Sequence, residues 1–97
     1  MTDMTIEREE RARGWRYVIR RPEGEAELTV SRRGEGVVSA DHTGVPGALE
    51  GKGVGTALIA RLYEDAQAEG FRVIPSCPFV AVKARRKPDW ASLTVGA

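Results

Sequence analysis

Residues 49–58 read LEGKGVGTAL, and the rest of the chain is organised around this stretch. Glycine occupies every second position from Gly51 to Gly55, just before a run with helical periodicity. Glycine permits tight turns and close approach of a ligand to the backbone. The first turn of a helix adds unpaired N–H groups at the positive end of its dipole. The stretch therefore predicts a phosphate or pyrophosphate site; the alternative is a flexible loop that only caps the helix.

The run that follows the glycines predicts a helix from Val54 to Glu69. Its apolar stripe has the period of a helix and consists of Leu58, Ile59, Leu62, Tyr63 and Ala66. Gly70 ends the helix, as glycine does at the left-handed position after a last turn. Residues 71–74 are a short apolar strand, which Pro75 stops.

Three strands are predicted before the glycine-rich stretch. Residues 15–20 are rich in aromatic and β-branched side chains, residues 25–32 alternate between apolar and polar, and residues 37–43 form the third run. Turns at residues 22–24 and 34–36 separate them, which indicates an antiparallel meander. By the period of two along a strand, Val38, Ala40 and His42 are expected to share one face.

The domain division follows from charge and length. Residues 1–13 are dense in charges of both signs and predict a flexible N-terminal arm or a frayed helix. Residues 14–97 are expected to form a single domain, since the chain has only 97 residues.

Strand, helix and strand in succession predict a right-handed crossover between two parallel strands. The carboxyl ends of those strands then point to the edge that carries the glycines, where open sheets bind ligands. The predicted class is α/β, with a mixed α+β sheet: an antiparallel meander, a β-α-β crossover and a C-terminal helix.

The C-terminal helix is predicted from Pro78 to about Lys87, because proline suits the first position of a helix and Pro88 ends this one. Cys77 would then be the N-cap residue at the ligand edge.

Composition excludes several classes of protein. The formal net charge is +1, which does not indicate nucleic acid as a partner. One cysteine and one histidine exclude a disulfide framework and a zinc cluster, so no metal is expected. The sequence has neither an apolar leader nor a long apolar run, which predicts a cytoplasmic protein that does not enter a membrane.

Four stretches give the chain a family resemblance. Residues 50–55 (EGKGVG) resemble the Gln/Arg-x-x-Gly-x-Gly/Ala pyrophosphate loop of the GNAT (N-acetyltransferase) superfamily. Residues 41–46 (DHTGVP), 73–80 (VIPSCPFV) and 87–90 (KPDW) are similar to stretches of its minimal, single-domain members. The resemblance covers residues 17–93, and Glu50 departs from it by replacing the usual Arg or Gln.

The resemblance implies an acyltransferase that takes its acyl group from acetyl-CoA or another acyl-CoA and gives it to an unidentified amine or thiol acceptor. The coenzyme A pyrophosphate is expected on the loop residues Gly51, Lys52, Gly53, Val54, Gly55 and Thr56. Lys83, Arg85 and Arg86 are candidates for its 3′-phosphate, unless they only form a solvated helix face. The oligomeric state is not readable from the sequence, which is compatible with a monomer.

Cys77 and His42 are the candidate catalytic residues near the thioester. A cysteine at a helix N-terminus is favoured as a thiolate nucleophile, although a free cysteine is also a common core residue. A histidine has a pKa suited to a general base, although a hydrogen-bonded core histidine fits the same position.

Two other functions remain open on these residues. One is a coenzyme A-binding module without efficient turnover, which would not need Cys77 and His42. The other is a protein-interaction domain that keeps only the fold, which Glu50 in the loop would favour.

Overall fold

The computed structural model describes residues 4–95 of the chain. Its strands are β1 (Glu7–Arg11), β2 (Gly14–Arg21), β3 (Gly24–Gly34), β4 (Val37–Gly44) and β5 (Arg72–Ile74). Its helices are α1 (Val54–Glu69), α2 (Pro78–Arg85) and α3 (Pro88–Ala91), and a short 3-10 turn covers Gly47–Leu49. Within residues 4–95, no helix combines the length and the hydrophobicity that crossing a bilayer would require.

The strands form one sheet in the order β1-β2-β3-β4-β5. The first four strands are antiparallel neighbours, whereas β4 and β5 are parallel and are connected through α1. The predicted meander, crossover and mixed α+β class are therefore confirmed, and α1 has the predicted bounds.

The strand β1 corrects the prediction of a flexible arm over residues 1–13. Glu7–Arg11 pairs with β2 at the edge of the sheet, while residues 1–3 lie outside the described part of the chain. The side chains of β1 form cross-strand ion pairs, such as Glu9 Oε1 with Arg16 Nε at 2.7 Å. Charges also protect an edge strand from pairing with other chains. The mixed charges that predicted a flexible arm belong to a strand instead. This strand forms only because the fold places β2 beside it.

The two faces of the sheet differ in chemistry. On the inner face, apolar side chains of β2 and β3 form a core with α1; they are Trp15, Tyr17, Ile19, Ala26, Leu28 and Val30. The opposite, outer face carries the alternate side chains of the same strands; they are Arg16, Val18, Arg20, Glu25, Glu27 and Thr29. The buried side chains of α2, Val80 and Ala84, belong to the same core as those of α1.

The strand β4 contains one residue more than β3 opposite it. Val30 pairs with Ala40, but the preceding residue Thr29 pairs with His42. Asp41 is therefore the extra residue of a β-bulge, which bends the strand and interrupts its alternation.

The bulge reverses the faces of the residues that follow it. Leu28 of the inner face pairs with Thr43, so the Thr43 side chain also lies on the inner face. The prediction that His42 shares a face with Val38 and Ala40 is wrong: His42 is exposed on the outer face. Counting by two from Val38 fails because it assumes a regular pleat.

The helix α2 begins at Pro78 with Cys77 as its N-cap, as predicted, and ends at Arg85. Pro88 does more than stop it, because this proline begins α3. Trp90 of α3 then stacks on Tyr63 of α1 with ring centroids 5.2 Å apart, which fixes the C-terminal segment against the core.

A buried tyrosine connects β2 to α1. Tyr17 is fully buried, and its hydroxyl donates a hydrogen bond to Asp65 Oδ2 at 2.7 Å. Arg8 of β1 and Arg61 of α1 each lie 3.2 Å from the same carboxylate. Burial and then the bond to Asp65 raise the pKa of Tyr17 well above its ordinary value.

Replacing Tyr17 with Phe should separate two effects on stability. At neutral pH the variant should lose about 1 kcal/mol, the usual net value of a hydrogen bond. The wild-type protein should lose stability above about pH 10, since its unfolded chain releases the Tyr17 proton there while the folded chain retains it. Tyr17→Phe cannot ionise, so its stability should fall less steeply.

Denaturant unfolding at about pH 7 and at about pH 10.5 measures both effects. Equal losses of stability in the two proteins over this interval would contradict the raised pKa of Tyr17.

Candidate functional site

The N-terminal end of α1 offers free hydrogen-bond donors. Gly53 is the N-cap residue with φ 75°, and its carbonyl accepts the bond from Ala57 N at 3.0 Å. The N–H groups of Val54, Gly55 and Thr56 precede that bond, so they have no acceptor within the helix. These uncharged residues and the positive end of the helix dipole make the position suitable for an anion.

The three glycines of the loop have two different roles. Gly51 and Gly53 have φ of 78° and 75°, which favours glycine, and open space lies where a Cβ would be. At Gly55 a Cβ would lie 2.8 Å from Cε2 of Phe79, so this glycine lets α2 pack closely against α1. Backbone conformation explains the first two glycines, and helix packing explains the third.

A cleft of about 630 Å³ opens in front of this end of α1. It is lined by residues of β4, the loop, α1 and α2: Thr43, Val45, Leu49, Glu50, Gly51, Gly53, Val54, Gly55, Thr56, Phe79 and Lys83. Of the predicted phosphate-binding residues of the loop, all but Lys52 are among them. The cleft thus leads from the donors of α1 to Thr43 on β4.

The loop places its two charged side chains differently. Glu50 is exposed and lines the cleft. Lys52 forms an ion pair with Glu23 of the β2–β3 turn, with Nζ 3.5 Å from Oε2. The cation of the loop is therefore paired away from Glu50, and the cleft has a carboxylate at its rim.

The positive charge in the cleft comes from α2. Lys83 lines the cleft, and its Nζ lies 5.6 Å from the ring centroid of Phe79. Arg85 instead donates to the carbonyl of Ala81 at 3.4 Å, and Arg86 is exposed. Of the three residues that the sequence offered for a phosphate, Lys83 lines the cleft, whereas Arg85 and Arg86 do not.

Cys77 lies where β4 and β5 separate. Its backbone N–H donates to the carbonyl of Ala40 at 2.9 Å, which fixes the start of α2 beside β4. Its Sγ lies 3.5 Å from Oγ1 of Thr43, and the residue is 8% exposed. Because Thr43 also lines the cleft, the sulfur lies one side chain away from it.

The surroundings of the sulfur favour its ionised form. Burial opposes ionisation, but the Thr43 hydroxyl and the N–H groups of Val80 and Phe79 outweigh it and lower the pKa of Cys77. The neutral thiol makes no capping hydrogen bond with the first N–H groups of α2. These N–H groups therefore stabilise the thiolate and not the thiol. A lowered pKa is expected of a reactive cysteine.

A buried serine holds the corner before Cys77. Ser39 is fully buried, and its hydroxyl donates to Asp41 Oδ1 at 2.7 Å while lying 2.7 Å from the hydroxyl of Ser76. These contacts join the bulge of β4 to the residue that precedes the cysteine. The position of Cys77 therefore depends on the bulge.

His42 and Cys77 lie on opposite faces of the sheet. The His42 backbone carbonyl accepts a bond from Thr29 Oγ1 at 3.5 Å, on the outer face. In residues 4–95 the polar side chain in contact with the sulfur is Thr43. Sequence reasoning missed Thr43 because regular alternation assigns it to the face opposite Ala40, and no signal in the sequence marks the bulge.

Comparison with known proteins agrees with this architecture. A family model of GCN5-related N-acetyl-transferases matches residues 16–93. The structure is similar to that of a GCN5-like candidate N-acetyltransferase from Staphylococcus aureus, solved by NMR, with a TM-score of 0.77 and 26% sequence identity. That similarity covers 100% of this chain and 93% of the other. No curated protein matches the chain in sequence.

Replacing Thr43 with Val should make Cys77 less reactive, while the shape of the side chain beside the sulfur stays nearly the same. The variant loses the hydroxyl that stabilises the thiolate, so the pH profile of alkylation by iodoacetamide should move to higher pH. The alkylation rate near neutral pH should fall severalfold, as expected for one lost hydrogen bond.

Thr29→Val is the matched control, because it makes the same change on the outer face beside His42. It should leave the alkylation profile of Cys77 unchanged, as should His42→Gln. A profile that moves with His42→Gln and not with Thr43→Val would contradict the assignment.

Proposed function

Since the chain belongs to the GCN5-related N-acetyltransferase family, we propose that it transfers an acetyl group from acetyl-CoA to an amine or thiol acceptor. The observation that carries this proposal is a continuous path in the structure. The free N–H groups at the start of α1 open into a cleft that ends at Thr43, and Thr43 contacts the sulfur of Cys77.

The pyrophosphate of the donor fits the loop end of the cleft. Gly51 and Gly53 leave open space above the backbone, and the N–H groups of Val54, Gly55 and Thr56 are free to donate to phosphate oxygens. Lys83 adds a positive charge on the opposite wall. Glycines in the left-handed conformation at a helix start suit an anion because they leave the backbone N–H groups accessible to it.

The pantetheine arm of the donor fits the gap between β4 and β5. The last pair between these strands is Ser39 with Ile74, yet β4 continues to Gly44. Its backbone beyond Ala40 thus runs along the cleft with polar groups that can bond to the amides of the arm. An arm along this edge would bring its thioester to Thr43 and Cys77.

Cys77 is the proposed nucleophile. Its thiolate would attack the acetyl carbonyl carbon and form a thioester with the enzyme, while the C–S bond of the donor breaks and the donor sulfur leaves with the electron pair. An acceptor amine would then form the C–N bond, and the Cys77 thiolate would leave again. The attacking amine loses one proton in this step. His42 lies on the face opposite the sulfur, so it could take this proton only from an amine that approaches from the outer face.

A coenzyme A-binding module without efficient turnover is the second candidate function. Glu50 favours it, because this carboxylate lines the cleft where a pyrophosphate would carry negative charge. The nearest cation of the loop, Lys52, is paired with Glu23. Repulsion at the rim would weaken donor binding without affecting Cys77.

Incubation with acetyl-CoA, followed by intact mass measurement, tests the covalent route. The protein should gain one acetyl group on Cys77, Cys77→Ala should gain none, and Cys77→Ser should behave almost the same as Cys77→Ala, because an unassisted hydroxyl is a poor nucleophile. His42→Gln should still be acetylated at Cys77, since it lies on the other face. If Cys77→Ala acetylates an amine at the wild-type rate, the acceptor attacks the donor directly and Cys77 is a packing residue.

Glu50→Gln tests whether the carboxylate at the rim opposes the donor. The variant should bind coenzyme A about two- to fivefold more tightly at low salt, because exposed charges contribute on the order of 0.2–1 kcal/mol. The gain should shrink as salt rises. Glu35→Gln, an exposed carboxylate in the β3–β4 turn, is the control for calorimetric titration. Equal or weaker binding by Glu50→Gln would mean that Glu50 does not face the phosphates.

A further inference from the structure

A second cavity lies on the outer face, behind the cleft. It has a volume of about 440 Å³ and is lined by Arg16, Glu25, Glu27, Gly44, Val45 and Pro46. Val45 borders both cavities, whereas Thr43 lines only the cleft and its neighbour Gly44 lines only the outer cavity. The two cavities therefore meet at the end of β4, next to the residue that contacts Cys77.

The bulge places His42 next to this outer cavity. A Cβ placed on Gly44 would lie 3.3 Å from Nε2 of His42 and 3.8 Å from Cγ of Glu27. The imidazole therefore lies over Gly44, beside the outer cavity, whose own lining includes the carboxylates of Glu25 and Glu27.

The outer face around this cavity has more carboxylates than cations. Residues that pair across neighbouring strands form rows on this face. The three rows nearest Gly44 carry four carboxylates and two guanidinium groups, which are Glu7, Glu9, Glu25 and Glu27 with Arg16 and Arg20. Arg16 lies 2.7 Å from Glu9, 2.7 Å from Glu27 and 3.6 Å from Glu25. Each guanidinium is thus shared among several carboxylates, which leaves a surplus of negative charge.

The side chains of this surface remain accessible. Glu25 is 52% and Glu27 32% exposed, whereas Arg16 is 17% exposed beneath them. The carboxylates therefore lie outermost, and a ligand that enters the cavity meets them before it meets the cation. Opposite charge is the complement that such a surface selects.

We propose that the outer cavity is the acceptor subsite, and that it selects a small aliphatic amine that carries a second positive charge. This inference rests on the proposed acetyl transfer. The reacting amine would approach the end of β4 beside His42, while the second cationic group would lie among Glu25 and Glu27. The donor would lie in the cleft and the acceptor in the outer cavity, and the reacting amine would reach the acetyl group past Val45, which borders both.

The test uses three acceptors with the same chain and the same reacting amine. They are 1,5-diaminopentane, 5-aminopentan-1-ol and 5-aminopentanoate, whose far ends are positive, neutral and negative. At low salt and saturating acetyl-CoA, kcat/KM should decrease in that order, by about three- to tenfold from first to last. Equal use of the three acceptors, or preference for 5-aminopentanoate, would overturn the proposal.

The double variant Glu25→Gln/Glu27→Gln should remove this order. Its KM for 1,5-diaminopentane should rise while kcat stays within about twofold, because the carboxylates bind the far end of the acceptor and not the reacting amine. Glu35→Gln/Glu64→Gln changes two exposed glutamates elsewhere and should keep the order. If the double variant fails to fold, the half-exposed Glu25→Gln alone should still weaken the preference. An order that survives either outer-face change contradicts the subsite.

Binding without turnover separates this inference from the proposed function. Titration with 1,5-diaminopentane can be followed by NMR of the backbone amides. The amide signals of Gly44 and Glu27 should shift more than those of Gly53 and Thr56 in the cleft. If acetyl-CoA acetylates Cys77 but the diamine shifts no outer-face amide, the subsite is wrong and the proposed function stands. If Cys77 is not acetylated and no acceptor is used, both fall.

Discussion

One extra residue in β4 fixes which side chains meet at the candidate site. The bulge at Asp41 turns Thr43 towards the inner face, where its hydroxyl lies 3.5 Å from the sulfur of Cys77. The same change turns His42 to the outer face. Because side chains alternate along a strand, one inserted residue exchanges the two faces for everything that follows it. The buried hydroxyl of Ser39 then joins the bulge to the corner before the cysteine.

The short pairing of β4 with β5 leaves the edge of β4 open from the bulge onwards. The two strands share three residue pairs, after which Cys77 N–H bonds to Ala40 and the chain turns into α2. A longer β5 would occupy the edge of β4 with its own backbone and close the gap. Pro75 and Pro78 limit it, since proline lacks the N–H that a continued ladder would need.

The two faces of the sheet present opposite charge near the end of β4. On the inner side, the positive end of α1 and the ammonium of Lys83 face the cleft. On the outer side, the carboxylates of Glu25 and Glu27 line the second cavity. Such a division suits an anionic donor on one side and a cationic acceptor on the other. Glu25 and Glu27 also pair with Arg16 and Arg20 of β2, which hold the glutamates of β1 as well. The charges that stabilise this face of the sheet are therefore the same ones that would contact a cationic acceptor in the proposed subsite.

The sequence by itself determined the meander, the crossover and the helix α1, and it predicted an anion site at the loop. Period-two and helical patterns gave the strands β2 to β4 and the bounds of α1, and alternate glycines before a helix indicated an anion site, because these signals are local. Tertiary structure decided the rest. The strand β1 exists through pairing with β2, Lys83 rather than Arg85 lines the cleft through the packing of α2, and the face of His42 depends on a bulge. Each of these depends on contacts between distant residues, which a local pattern does not contain.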